Sequence, residues 1–130
     1  MGDDLSPPPP ARAILLVEDD EAVRTSLQFA LELEGFTVDA FRTSAAALAH
    51  RPSSCAALIV DYWLPDINGL ALLARLRAAG VDAPALLITS NPTTLLRTRA
   101  KAVGAIVIEK PLLGDAIIAA VQDLTSAPWR

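Results

Sequence analysis

The sequence predicts an α/β fold in which a doubly wound, five-stranded parallel sheet is covered by helices on both faces. Five short apolar runs alternate with amphipathic segments along the chain, and the connections between them are short. Runs that are apolar throughout are typical of parallel strands with two buried faces. The right-handed crossover rule makes a doubly wound sandwich with five helices the natural arrangement of these segments.

Composition indicates one globular domain, since the 130 residues are 52% hydrophobic and 20% charged. A net charge of −4 argues against direct contact with nucleic acid. The single cysteine suits a reducing compartment, and no apolar run approaches the roughly 18 residues that cross a bilayer. We therefore expect a cytoplasmic protein without membrane insertion. Residues 1–11, with prolines at 7–10, are expected to be disordered, residues 12–125 to form the domain, and residues 126–130 to form a tail.

The first half of the chain contains two strand–helix units. Five consecutive apolar residues predict the first strand at Ala13–Val17. A helix follows and ends at Gly35, a typical C-cap residue. Its apolar stripe is formed by Val23, Leu27, Ala30 and Leu31. Weak alternation from Phe36 to Phe41 predicts the second strand, and Thr43 or Ser44 is expected to cap a short alanine-rich helix.

The second half contains three more units of the same kind. Their strands are predicted at Ala56–Val60, Ala85–Ile88 and Ala105–Ile108. Helices at Ile67–Ala79 and Thr93–Val103 separate these strands, and each is followed by glycine. The apolar stripe of a final helix is formed by Leu113, Ile117, Val121 and Leu124.

Charged and hydroxyl side chains follow the ends of the predicted strands. They are Glu18, Asp19 and Asp20 after the first strand, Asp61 after the third, Thr89 after the fourth and Lys110 after the fifth. Ligands of doubly wound sheets bind beyond the carboxyl ends of the strands, where these groups meet. Two carboxylates about 5 Å apart repel by roughly 3 kcal/mol at an effective dielectric near 20. Three neighbouring acids give several such repulsions, and a single lysine cannot offset their sum. Glu18, Asp19 and Asp61, completed by water, therefore predict a Mg²⁺ site.

The loop after Asp61 favours chemistry at that residue. Pro65 and Gly69 predict a tight turn that exposes Asp61 and aims a backbone carbonyl near the metal. Asp66 or Asn68 can cap the next helix.

A carboxylate beside a divalent cation is a feasible nucleophile toward phosphorus. Thr89 could bond one phosphoryl oxygen, and Lys110 could pair with another. Together these groups predict phosphoryl transfer onto Asp61.

Four motifs resemble those of response-regulator receiver domains, the CheY-like family. They are Leu15–Asp20, Val60–Gly69, Ile88–Ser90 and Glu109–Pro111, and the similarity spans about residues 13–124. The resemblance implies a flavodoxin-like strand order of 2-1-3-4-5. It also implies a signalling phosphoacceptor that catalyses only its own phosphoryl transfer and slow self-dephosphorylation.

The same resemblance assigns roles to individual residues. Asp61 would accept phosphate from a sensor histidine kinase or a histidine phosphotransfer protein, and an unknown downstream protein would receive the signal. Asp19 would bind Mg²⁺ directly and Glu18 through water, and the carbonyl of Trp63 would be a further protein ligand. Thr89 would be the switch hydroxyl, and Lys110 would precede a cis bond to Pro111. Asp20 is expected to cap a helix or face solvent.

Val107 departs from the family pattern, and two other functions stay open. Val107 stands three positions before Lys110, where receiver domains usually carry an aromatic side chain that moves with the hydroxyl. A receiver that binds a partner without being phosphorylated is therefore an alternative. A phosphohydrolase with an aspartyl-phosphate intermediate is another, but Trp63 occupies the place of its acid. A bulky Trp63 could instead shield an acyl phosphate from water.

Overall fold

The computed structural model describes residues 12–50, 55–111 and 114–126. The expected lead-in at 1–11, residues 127–130 of the expected tail and Leu113 lie outside these ranges. The strands are β1 (Ala13–Val17), β2 (Thr37–Phe41), β3 (Ala57–Asp61), β4 (Ala85–Thr89) and β5 (Ala105–Glu109). The helices are α1 (Glu21–Leu33), α2 (Ser44–His50), α3 (Gly69–Ala78), α4 (Thr94–Ala102) and α5 (Gly114–Ser126). Of these helices, within the ranges described, none has the length and apolarity to cross a lipid bilayer.

All five strands are parallel and lie in the order β2-β1-β3-β4-β5. The predicted doubly wound sheet and its strand order are thus confirmed. The chain passes from β1 outward to β2 and then returns to place β3 on the other side of β1. The winding direction therefore changes between β1 and β3, so a crevice opens at the carboxyl ends of these two strands.

Alternate residues of each strand pack on opposite faces of the sheet, giving two apolar layers. Ile14 and Leu16 of β1 belong to the layer that contains residues of α1 and α5. Leu15 and Val17 belong to the layer that contains residues of α2, α3 and α4. Because both faces are covered, the central strands are apolar throughout, as the sequence predicted.

Element boundaries differ from prediction where a side chain caps a helix or a strand continues into the site. Helix α3 begins at Gly69 rather than Ile67, because the Asn68 side chain accepts a hydrogen bond from the Ala71 N–H at 2.8 Å. Strands β3 and β4 continue one residue further than predicted and include Asp61 and Thr89. Both of these candidate site residues thus belong to the sheet rather than to a loop.

Two glycines shape the chain where it leaves regular structure. Gly35 has φ +92° after α1, which confirms its predicted role because this left-handed conformation favours glycine. Gly69 lies at the start of α3, and a Cβ there would collide with the carbonyl oxygen of Asp61 and lie 2.8 Å from Cγ1 of Val60. The start of α3 therefore packs directly against the end of β3.

Candidate functional site

Three carboxylates meet at the crevice between β1 and β3. Glu18 and Asp19 follow β1, and Asp61 is the last residue of β3. One oxygen from each residue lies within 4.8 Å of the other two. Glu18 and Asp61 are only 1% and 2% exposed, whereas Asp19 is open to solvent. The structure therefore brings together the three acidic side chains that the sequence predicted as a metal site.

Lys110 places an ammonium group beside two of these carboxylates. Its Nζ lies 3.3 Å from Oδ2 of Asp61 and 3.7 Å from Oε1 of Glu18. The backbone N–H of Lys110 donates to the carbonyl of Thr89 at 2.9 Å, which keeps the start of the β5–α5 connection against the end of β4. The single ammonium of Lys110 thus offsets only part of the negative charge that three carboxylates bring to the cluster.

Glu18 shows this deficit most clearly. Its Oε2 accepts a hydrogen bond from the Asp20 N–H at 3.2 Å, but its buried Oε1 has no hydrogen-bond partner among the residues that the structure describes. Burial, to which the neighbouring Asp61 adds, raises the pKa of Glu18 from 4.5 to about 7. A buried carboxylate oxygen without a donor costs free energy unless a cation or water satisfies it.

The residues present fit a hard divalent cation. All three side chains offer oxygen, the ligand atom that Mg²⁺ and Ca²⁺ prefer, and Oε1 of Glu18 has no hydrogen-bond partner within residues 12–50, 55–111 and 114–126. Asp19 faces solvent, so water can complete the coordination shell from that side. An acidic pocket suited to a divalent cation is therefore a property of this structure.

Thr89 ends β4 beside the acidic cluster. Asp61 is in register with Ile88 on the neighbouring strand, so Thr89 lies one residue further along at the same edge. Its side chain is 1% exposed, and its hydroxyl accepts a hydrogen bond from the Asn91 N–H at 3.3 Å. A hydroxyl, an ammonium and three carboxylates thus share one edge of the sheet.

The residue two positions after Asp61 contributes its backbone to the site. The N–H of Trp63 donates to Oδ1 of Asp61 at 3.4 Å, while its indole is 62% exposed. The indole contacts the ring of Tyr62 edge-on at 4.9 Å between centroids. Metal binding by the Trp63 carbonyl stays a prediction.

Some residues that shape the site were missed or misassigned by sequence reasoning. Asp20 caps α1 by accepting from the Val23 N–H at 3.1 Å, one of its two expected roles. Arg24, one turn further on, donates from Nη1 to the carbonyl of Glu18 at 2.9 Å. Its position in the first turn after an acidic loop was a usable signal. Asp66, a candidate cap for α3, instead binds residues of α2, and nothing in its local sequence indicated this.

Val107, which stands where receiver domains usually carry an aromatic residue, packs into the core. It is buried in β5 and belongs to the same layer as Leu87, Leu96 and Ala100. Lys110–Pro111 is a cis peptide bond, as the resemblance implied.

Comparison with known proteins identifies the family of the chain. Residues 14–122 match the family model described as the response regulator receiver domain. The chain belongs to this family, the receiver domains of two-component response regulators. Its solved structural neighbours include a CheY-like receiver domain protein, which has the same fold.

The related proteins are bacterial regulators that are longer than this chain. The transcriptional regulatory protein FixJ of Azorhizobium caulinodans is 36% identical over 116 residues, which are 88% of this chain and 55% of FixJ. The C4-dicarboxylate transport transcriptional regulatory protein DctD of Rhizobium meliloti is 33% identical over 110 residues, 83% of this chain and 24% of DctD. The chain therefore spans about half of one relative and about a quarter of the other.

Solved structures show the same fold. The non-phosphorylated HemR receiver domain of Leptospira biflexa superposes with a TM-score of 0.83 at 30% identity, covering 89% of this chain and 95% of that domain. A CheY-like receiver domain protein of Methanospirillum hungatei gives a TM-score of 0.82 at 24% identity, covering 89% and 94% of the two chains.

Proposed function

We propose that Asp61 accepts a phosphoryl group from a sensor histidine kinase or a histidine phosphotransfer protein in a Mg²⁺-dependent reaction. The observation that supports this most directly is the buried Asp61 carboxylate, grouped with Glu18 and Asp19 and 3.3 Å from the ammonium of Lys110. Family membership supports the same proposal.

In this proposal an oxygen of Asp61 attacks phosphorus, forming an acyl phosphate as the phosphorus–nitrogen bond of the donor phosphohistidine breaks. The electron pair of that bond remains on the imidazole, whose other ring nitrogen carries a proton, so the histidine leaves as the neutral base. Glu18, Asp19, Asp61 and the Trp63 carbonyl would hold the Mg²⁺. When bound, the ion supplies positive charge that offsets the charge of the phosphoryl oxygens.

Two side chains of the chain itself bind the transferred group. Lys110 already lies 3.3 Å from Oδ2 of Asp61, so its ammonium can pair with a phosphoryl oxygen bound there. The Thr89 hydroxyl, at the end of the neighbouring strand, can donate to another oxygen. Movement of this hydroxyl toward the phosphoryl group would shift the domain between two conformations.

The partners and location follow from the same proposal. The phosphodonor is a histidine-phosphorylated protein, and the signal passes to an unidentified downstream protein in the cytoplasm. The net charge of −4 supports protein partners rather than direct contact with nucleic acid. Apart from forming and slowly hydrolysing its own acyl phosphate, the domain would catalyse no reaction.

Incubation with a small phosphodonor and Mg²⁺, followed by intact-mass measurement, tests the proposal. We expect one added phosphoryl group on the wild-type chain and none on Asp61→Asn or in the presence of a chelator. An unmodified wild-type chain would instead favour a receiver that binds its partner without phosphorylation. Continuous release of inorganic phosphate from a phosphomonoester would indicate a phosphohydrolase.

A further inference from the structure

The loop that follows Asp61 is attached to a helix distant in sequence. Oδ1 of Asp66 accepts from the Ser44 N–H at 3.0 Å, and Oδ2 accepts from the Ala45 N–H at 2.7 Å. In return, the Ser44 hydroxyl donates to the carbonyl of Ile67 at 3.0 Å. We call these three hydrogen bonds the loop–α2 clasp. They join residues that are 21 to 23 positions apart.

The clasp satisfies groups that α2 cannot satisfy by itself. The first N–H groups of a helix have no partner within the helix, and a carboxylate is favourable at this positive end. The Thr43 hydroxyl accepts from the Ala46 N–H at 3.1 Å, and the Asp66 carboxylate accepts from the N–H groups of the two preceding residues. Ser44 is fully buried, so its hydroxyl needs the Ile67 carbonyl as a partner.

The same loop is also held at its base. The N–H groups of Leu64 and Gly69 both donate to the carbonyl of Tyr62, at 3.2 and 2.8 Å. The Trp63 N–H donates to the Asp61 carboxylate. The stretch from Asp61 to Asn68 is therefore hydrogen-bonded to the end of β3 through the Trp63 N–H and to α2 through Asp66.

From this geometry we infer that Asp66 is a positioning residue: through the loop–α2 clasp it holds the loop that carries Trp63 and places its backbone for binding of the divalent cation. Asp66 itself is not within the acidic cluster of Glu18, Asp19 and Asp61. The inference rests on the proposed function, because it concerns the same cation site. It assigns to Asp66 a role beyond capping α2.

The chain offers a matched control for this role. Thr43→Ala removes one hydrogen bond from the same helix terminus but leaves the loop untouched. Asp66→Ala removes the two hydrogen bonds by which the loop residue Asp66 is joined to α2. If the clasp positions the site, Asp66→Ala should weaken Mg²⁺ binding about tenfold, the low end of the effect of outer-shell partners, while Thr43→Ala leaves it unchanged. Calorimetric titration with Mg²⁺ measures both affinities.

A second measurement needs neither metal nor phosphodonor. In the absence of Mg²⁺, amide hydrogen exchange at Leu64 and Gly69 should accelerate in Asp66→Ala and remain at the wild-type rate in Thr43→Ala. If Asp66→Ala does not fold, Ser44→Ala removes the third bond of the clasp and should accelerate the same amides. Asp66→Asn, which retains one acceptor oxygen, should restore part of the protection.

The outcomes separate the two proposals. Equal Mg²⁺ affinity in Asp66→Ala and the wild type, or equal losses in Asp66→Ala and Thr43→Ala, would overturn the positioning role. A wild-type chain that binds no Mg²⁺ would overturn the proposed function; the exchange rates would then still decide whether the clasp holds the loop. At saturating Mg²⁺ we expect the phosphorylation rate of Asp66→Ala to recover toward the wild-type value.

Discussion

At the residue scale, Glu18 shows how the sheet assembles a site that is strained without a cation. Its side chain is almost fully buried, and its Oε1 lacks a hydrogen-bond partner among the residues described. Lys110 at 3.7 Å is too distant to donate to it. The residue keeps this position because β1 fixes the backbone immediately before it, and the Glu18 N–H donates to the Phe41 carbonyl at 2.9 Å.

Trp63 allows a prediction about the lifetime of the phosphorylated state. Its indole, two residues after Asp61, is 62% exposed and contacts the ring of Tyr62 edge-on. If the indole limits the access of water, Trp63→Ala should hydrolyse its acyl phosphate several-fold faster than the wild type. Loss of phosphate followed by intact mass measures this rate. Leu95→Ala, which removes an exposed apolar side chain from α4, serves as control; equal half-lives in all three chains would show that Trp63 is no shield.

At the scale of elements, Arg77 joins α3 to two connections at the edge opposite the site. Its guanidinium donates to the carbonyls of Val103 at 2.9 Å, Val81 at 3.0 Å and Gly104 at 3.2 Å, and also to that of Ala83. These carbonyls lie just before β4 and β5, so one side chain fixes the entry of both strands.

We therefore expect Arg77→Ala to lower the free energy of unfolding by about 2–3 kcal/mol, since hydrogen bonds to charged groups are among the stronger ones. Arg75→Ala, an exposed arginine of the same helix, should change it little. Urea denaturation measures both. Because Arg77 lies at the edge away from Asp61, the affinity for Mg²⁺ should not change. A loss no larger than that of Arg75→Ala would contradict the structural role.

The loop–α2 clasp gives a pH-dependent prediction. Desolvation opposes ionisation of Asp66, but the N–H donors of Ala45 and Ser44 outweigh it and lower the pKa of this carboxyl below its ordinary value of 3.8. The folded pKa is the lower one, so the ionised clasp stabilises fully above 3.8, and the contribution is lost as the pH falls through the folded pKa.

The stability difference between the wild type and Asp66→Asn should therefore stay constant from neutral pH down to about 4 and shrink below it. Urea denaturation across this range tests the expectation. The difference between the wild type and Thr43→Ala should not vary in this way, since a hydroxyl does not titrate there. A difference for Asp66→Asn that is independent of pH would show that the carboxylate charge contributes nothing.

At the scale of the whole molecule, we expect Asp61 to lower the stability of the metal-free domain, although the proposed function requires it. Asp61 lies in one cluster with the carboxyl groups of Glu18 and Asp19, and of these three the ammonium of Lys110 contacts only Asp61 and Glu18. Without metal, Asp61→Asn should raise the free energy of unfolding by about 1–2 kcal/mol, because it removes one of the repelling charges. Glu21→Gln, which changes an exposed acid outside the cluster, should not raise the free energy of unfolding.

Magnesium should reverse this order. An ion that binds only the folded wild type at a hundred times its Kd stabilises by about 2.7 kcal/mol, and Asp61→Asn should lose most of that gain. Thermal denaturation with and without Mg²⁺ gives both quantities. Equal stabilisation of the two chains by Mg²⁺ would show that Asp61 does not bind the cation.

The same scale shows which features followed from local sequence. Each central strand, such as Leu58–Val60 within β3, is apolar throughout because helices cover both faces of the sheet. The apolar run therefore predicted a buried strand without any knowledge of its packing partners. The parallel arrangement then placed Asp61 and Thr89 at one edge. Boundaries were less accurate: Asn68 could have been a helical residue or a cap, and only the backbone geometry distinguishes these.

Taken by itself, the sequence determined the order of the elements, the strand ends at which acids, hydroxyl and lysine meet, and the family to which the chain belongs. These depend on periodicity and on short motifs, which are local. The tertiary structure alone decided that Asp66 binds α2 rather than α3 and that Arg77 binds carbonyls 26 and 27 positions away. It also decided that one oxygen of Glu18 has no hydrogen-bond donor in the part of the chain that the structure describes. Such contacts depend on how separate elements pack, and polar groups take whichever partners that packing brings within hydrogen-bond distance.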